Sequence, residues 1–155
     1  MNFEVDRKEL HRTRLVPNDT SELHDGQARL RVDVFVVEQA SPYSELDGRD
    51  LEEGTRHYWL AGAGWAAPVL GCLRLLEEPD GVLRIGRVCT ARSVRGRGLG
   101  RQLVEAALAE VGDSPCVLDA QEHLADLYRG YGFVPAGPTY DWDGVTHLPM
   151  RRERV

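Results

Sequence analysis

Apolar positions in this chain fall into short runs, and the spacing inside the runs switches between the period of a strand and that of a helix. "LHRTRLV" (10–16) alternates in the manner of a strand. Over 18–39, "NDTSELHDGQARLRVDVFVVEQ", Leu23, Leu30 and Val34 recur at helical spacing, and Asp19 with Glu22 three residues on matches a capping box. Gly26 weakens that helix by about 1 kcal/mol relative to Ala, and its end, "VFVVEQ", fits a strand equally well. "RHYWLAGA" (56–63), "PVLGCLRLLEE" (68–78) and "VLRIGRVCT" (82–90) read as strands, the last two joined by "PDG" into a hairpin. "GLGRQLVEAALAEVG" (98–112) carries the clearest helical stripe, Leu99, Leu103, Ala106, Ala107 and Leu108, and Gly112 stops it. A short strand at "PCVLDA" (115–120), a short helix at "HLADLYRGYG" (123–132) and two strands joined through "DWDG" follow. The order β-α-β-β-β-α-β-α-β-β predicts a mixed α/β sheet. Between 40 and 55 the chain is polar, acidic and rich in turn residues, and a loop of that length tends to be functional.

Composition narrows the picture. The 155 residues match one domain (1–155), with no repeat, linker or low-complexity tract to divide them. Apolar residues at 42% and charged residues at 28% are globular proportions. A formal charge of −6 argues against nucleic acid as a partner. Positive charge is local instead: Arg84, Arg87, Arg92, Arg95, Arg97 and Arg101 fall within eighteen residues, whereas Lys8 is the only lysine. Cys72, Cys89 and Cys116 sit in apolar runs without CxxC spacing, as reduced, buried thiols do. No signal-peptide pattern and no apolar run of about 20 residues is present, so the expectation is a soluble cytoplasmic protein with no membrane partner. The five histidines lack ligand spacing, and no metal is expected.

The stretch "RSVRGRGLGRQL" follows a strand and opens a helix, where unpaired helix N–H groups favour an anion. Glycines there let a backbone approach a pyrophosphate without an intervening Cβ. A P-loop needs Lys-Ser or Lys-Thr after the glycines, and neither is present. A dinucleotide fingerprint needs a third glycine where Arg101 stands, and "ARSV" separates the strand from Gly96. Asp119 nevertheless falls at the distance of that fingerprint's acid, which keeps a dinucleotide-binding oxidoreductase as the alternative.

The same stretch, with its pattern Arg95-x-x-Gly98-x-Gly100, resembles motif A of the GCN5-related N-acetyltransferase (GNAT) superfamily. Downstream, "QEHLADLYRGYGF" is similar to motif B, with Ala125, Leu127, Tyr128, Gly132 and Phe133 in the matching places. Upstream, "LRVDVFVVEQASPYSELDGRDLEEGTRHYW" resembles the ElaA-like branch, through Leu30, Arg31, Phe35 to Gln39, Pro42, Tyr43, Glu45, Asp47, Gly48, Asp50 and His57. Ser41 stands where that branch has Cys.

The resemblance implies an α+β fold of the GNAT type: a mixed, mostly antiparallel sheet, splayed at the motif-A strand and flanked by helices. It implies acetyl-CoA as acyl donor and an amine as acceptor, with direct attack in a ternary complex. It assigns the backbone of Val88, Cys89 and Thr90 to the pantetheine arm, and the N–H groups of Arg95, Gly96, Arg97, Gly98, Leu99, Gly100 and Arg101 to the pyrophosphate. Gln121 stands where many relatives have Asn to hold the cofactor arm. Tyr128 becomes the general acid, since a phenol with a pKa near 10 can protonate a leaving thiolate. Residues 82–90 contain no carboxylate, so the base is open among Glu38, Glu77, Glu122 and His123. Glu38 and His123 are also candidate acceptor contacts. The acidic loop, with only Arg49 opposing Glu45, Asp47, Asp50, Glu52 and Glu53, reads either as a solvated face or as an attractor for a cationic amine. A monomer or homodimer is expected. The missing base leaves a non-catalytic CoA-ester sensor as a further alternative.

Overall fold

The strand β3 (Val69–Glu77) is apolar at nearly every position because both of its faces are covered. Leu73 and Leu75 point to one side and Cys72 to the other, and β2 (Arg56–Ala61) divides in the same way, Tyr58 and Leu60 against Trp59 and Ala61. The computed structural model describes residues 9–13, 22–39, 47–62, 68–142 and 144–153. In it, β1 (Glu9–Thr13), β2, β3, β4 (Leu83–Thr90), β5 (Cys116–Gln121), β6 (Val134–Pro135), β7 (Tyr140–Trp142) and β8 (Val145–Arg152) form one 8-stranded sheet. Its order is β1-β2-β3-β4-β5-β8-β6, with β7 also on β8. Every pairing is antiparallel except β4 with β5.

On one face lie α2 (Leu99–Val111) and α3 (Ala125–Arg129). Leu99, Leu103, Val104 and Ala107 of α2, each 1% exposed or less, meet the inward side chains of β2 to β5 in the main core. On the other face α1 (Glu22–Arg31) runs directly into a π-helix over Val32–Glu38, and Leu30, Val34 and Phe35 cover Trp59, Cys72 and Cys89. The ambiguous segment "VFVVEQ" is therefore neither strand nor α-helix. A five-residue hydrogen bond from the Gln39 N–H to the Val34 carbonyl widens the turn and swings Glu38 and Gln39 toward the end of the sheet. Asp19, the expected cap, lies outside the described residues.

Two irregularities in β4 shape the site. Cys72 pairs with Cys89 and Arg74 with Gly86, so two steps on β3 oppose three on β4. The extra residue is a β-bulge, and Arg87 within it is the only non-glycine with positive φ (54°) among the described residues. Second, β4 and β5 pair only at Leu83↔Cys116 and Arg84↔Val117. Beyond that point the two strands run apart, β4 to Thr90 and β5 to Gln121. The sheet is thus mixed, mostly antiparallel and splayed at β4. The tail forms three strands, β6, β7 and β8, where the sequence predicts a pair joined through "DWDG". Among the described residues no helix is long and apolar enough to cross a membrane.

Candidate functional site

The loop between β4 and α2 is anchored at both ends and open between. Val94 (2% exposed) and Leu99 (1%) are buried, while Arg95, Gly96, Arg97 and Gly98 are exposed. Gly96 (φ 80°) and Gly98 (φ 79°) adopt left-handed conformations, and Gly98 is the N-cap of α2 without any side-chain cap. The first-turn N–H groups of α2 therefore have no partner within the helix, and its dipole adds positive potential there. A Cβ built on Gly96, Gly98 or Gly100 would meet nothing within 4 Å, so the glycines leave a clear cradle over these donors. This is the arrangement that a pyrophosphate requires.

Arg95 closes one side of the cradle. Its Nε and Nη2 donate to the Thr90 carbonyl at 3.2 and 3.1 Å, and Nη2 lies 2.8 Å from Glu38. Arg92 approaches the same carboxylate at 4.0 Å. Glu38 is thus held by the loop's arginines. Arg97 and Arg101 are exposed.

Between the diverging strands opens a cavity of about 620 Å³. Val88, Gln121 and Tyr128 line it, as do Asp119, the acid of the alternative dinucleotide reading, and Phe35 of the upstream pattern; His147 also lines it and was not singled out from the sequence. Tyr128 is 4% exposed, packs edge-on to Phe133 with ring centroids 6.0 Å apart, and has its pKa pushed up to about 12 by burial and then by Tyr131. The phenol is consequently neutral at ordinary pH and able to donate. Gln121 and Gln39 exchange amide hydrogen bonds at 3.2 Å, tying the end of the π-helix to β5. His147, on β8 opposite Gln121, bonds the Val145 carbonyl through Nδ1 at 2.9 Å and stacks on Tyr140 at 5.5 Å. A carbonyl only accepts, so Nδ1 carries a proton and, in the neutral ring, the lone pair is on Nε2.

None of Glu38, Glu77, Glu122 and His123 lines this cavity. Glu77 borders a separate hollow of about 360 Å³ and pairs with Arg56 at 2.7 Å. Glu122 and His123 are exposed on a short 3-10 helix, Glu122–Leu124.

The acidic loop needs correction: Asp47 and Asp50 are already held by guanidinium groups. Asp50 meets Arg31 at 2.8 Å and Arg74 at 3.2 Å, all three buried. Asp47 takes Arg74 at 2.8 and 2.9 Å and Arg87 at 3.5 Å, and hydrogen bonding from Arg74 holds its carboxyl well below the usual range. Burial raises the Asp50 pKa, but Arg31 and Arg74 outweigh it and leave the group lowered. His57 accepts this arrangement as a neutral ring, its pKa lowered mainly by burial, with Nε2 on the Asp50 carbonyl at 3.1 Å. The partners stand 19 to 40 positions away in sequence, which is why Arg49 alone seemed to oppose these acids. One signal was present: an arginine inside the apolar run "LGCLRLL".

A family model described as an acetyltransferase (GNAT) domain matches residues 21–154. The chain belongs to the GNAT family. It is 35% identical over 158 residues to the protein ElaA of Escherichia coli, covering 97% of this chain and 98% of ElaA. The UPF0039 protein Rv2851c of Mycobacterium tuberculosis is 54% identical over 127 residues, 80% of each chain. The crystal structure of an acyl-CoA N-acyltransferase from Pseudomonas aeruginosa superposes with a TM-score of 0.84 at 38% identity, over 94% of this chain and 99% of that one. The crystal structure of E. coli ElaA gives 0.83 at 33%. The GNAT chain described here is therefore ElaA-like in sequence and fold, and its general chemistry is acyl transfer from an acyl-CoA to an amine.

Proposed function

We propose that residues 1–155 act as one N-acetyltransferase domain, moving acetyl from acetyl-CoA to a primary amine by direct attack in a ternary complex. The observation that carries this reading is the gap between β4 and β5, which opens beside an uncapped, glycine-lined helix start. In this reading the N–H groups from Arg95 to Arg101 hold the pyrophosphate, and the freed backbone of Val88, Cys89 and Thr90 receives the pantetheine arm. Acetyl-CoA supplies the thioester. The chain's residues bring the reactants together and manage two protons.

The amine nitrogen forms its bond to the acyl carbon as the carbon–sulfur bond breaks. The nitrogen's proton passes to Nε2 of His147, whose tautomer leaves that atom free to accept. Tyr128 gives its proton to the departing thiolate; an alcohol-like phenol with its pKa near 12 is reprotonated at once at neutral pH. The place of His147 in the cavity lining supports it as the base over the four sequence candidates, which do not line it.

Acetyl-CoA at one hundred times its Kd stabilises the fold by about 2.7 kcal/mol, a shift of several degrees in Tm. Gly98→Asp abolishes that shift by setting a carboxylate against the pyrophosphate. No Tm shift with any acyl-CoA overturns the reading. Tyr128→Phe lowers kcat about a hundredfold or more while leaving the Tm shift in place; unchanged turnover removes Tyr128 from the mechanism.

A further inference from the structure

The cavity extends from the splayed strands to the α1 side of the sheet, where its wall changes character. Four arginines (Arg49, Arg74, Arg84 and Arg87) line this part against two carboxylates, Asp47 and Asp119. The acids that balance the remaining charge, Asp50, Glu52 and Glu78, do not line it. Arg74 is 4% exposed, and its Nη1 and Nη2 are occupied by Asp47 and Asp50. Its Nε, fully buried, has no hydrogen-bond partner. Directly across the ladder stands Gly86, and a Cβ built there would meet only that Nε, at 3.9 Å. A glycine thus leaves room beside an unsatisfied guanidinium N–H, and the neighbouring bulge turns Arg87 to the same wall. An unmade hydrogen bond on a buried cation is costly, and a ligand oxygen would make it.

We infer that the acceptor is an amine that also carries a carboxylate, of the amino-acid class, with the carboxylate bound at Arg74 and Arg87. Its amine then lies toward Tyr128 and His147. A wall of this sign disfavours diamines and polyamines, whose second cation would face the arginines. This inference rests on the acyltransferase reading and adds the substrate class to it.

The test uses the full chain saturated with CoA, a complex in which no acyl group can be consumed. Tm is recorded with each of the amino acids, with the matching α-amides, with spermidine and with aminoethyl phosphate. At least one amino acid raises Tm above the CoA complex, and its amide, which keeps the amine and loses the charge, binds about tenfold more weakly or worse. Gly86→Ala, whose methyl group fills the space beside Nε of Arg74 that a carboxylate oxygen would occupy, removes the amino-acid response and keeps the response to CoA. Equal responses to acid and amide, a stronger response to spermidine, or a phosphate that outranks every carboxylate overturns the inference. If Gly86→Ala does not fold, the acid-against-amide comparison on the unaltered chain still decides. Absence of any response to CoA overturns the acyltransferase reading itself, whereas a CoA response without discrimination overturns only the acceptor class.

Discussion

On the α2 side of the sheet, Leu73, Leu75, Ile85 and Leu118 meet Leu99, Leu103, Val104 and Ala107 in a continuous apolar layer. On the α1 side, the same strands present Arg74, Arg84, Gly86 and Asp119 to a lattice of ion pairs reaching Arg31, Asp47 and Asp50. The first layer is non-directional, so any side chains of suitable volume close it. The second is directional, and each member needs a particular partner. The apolar layer backs α2 and its glycine cradle, and the ionic layer shapes the part of the cavity to which the acceptor's carboxylate is assigned. One sheet thus carries two kinds of layer on its opposite faces, held by different forces.

The contrast can be broken from either side. Asp50→Ala leaves Arg31 and Arg74 buried without their shared carboxylate and costs about 3–5 kcal/mol, measured by urea unfolding. Leu103→Ala, at 0% exposure in the apolar layer, costs about 2–5 kcal/mol by cavity formation. The pH dependence separates the two variants further. Asp47 and Asp50 are lowered in the folded state, so their stabilisation is present above about pH 4 and is lost as pH falls through their folded values. Leu103→Ala lowers the whole Tm-against-pH curve without changing this acid limb, whereas Asp50→Ala flattens it. A smaller effect comes from His57, whose lowered pKa means that the unfolded chain takes up a proton first, below about pH 6.5. Stability declines gently from there as pH falls, and His57→Gln removes that stage; an unchanged slope excludes the ring from the acid response.

Legibility in the sequence follows the same division. The α2 stripe and the hairpin through "PDG" are local patterns, and both elements form within a residue or two of where the periodicity puts them. The glycine spacing ahead of α2 likewise marks a site made of backbone, which needs few side chains to identify. The π-helix was hidden because Val32 to Val37 is rich in β-branched residues that suit a strand, and packing on Trp59 and Cys72 overrides that preference. The bulge at Arg87 was hidden too, since a strand read with period two gives no sign of an inserted residue. His147 and Arg74 enter the cavity through pairings of strands distant in the chain; an arginine inside an apolar run marks Arg74 as unusual without naming its partners, and His147 carries no such mark.

The clasp between Gln39 and Gln121 stands apart from everything around it. Both partners are neutral amides, each giving one N–H and taking one in return. Ionic strength, which screens the exposed members of the arginine–carboxylate lattice, has little hold on such a pair. Salt therefore weakens the exposed ion pairs of the arginine-lined wall before it touches the joint between the π-helix and β5, so the two ends of one cavity answer differently to ionic strength.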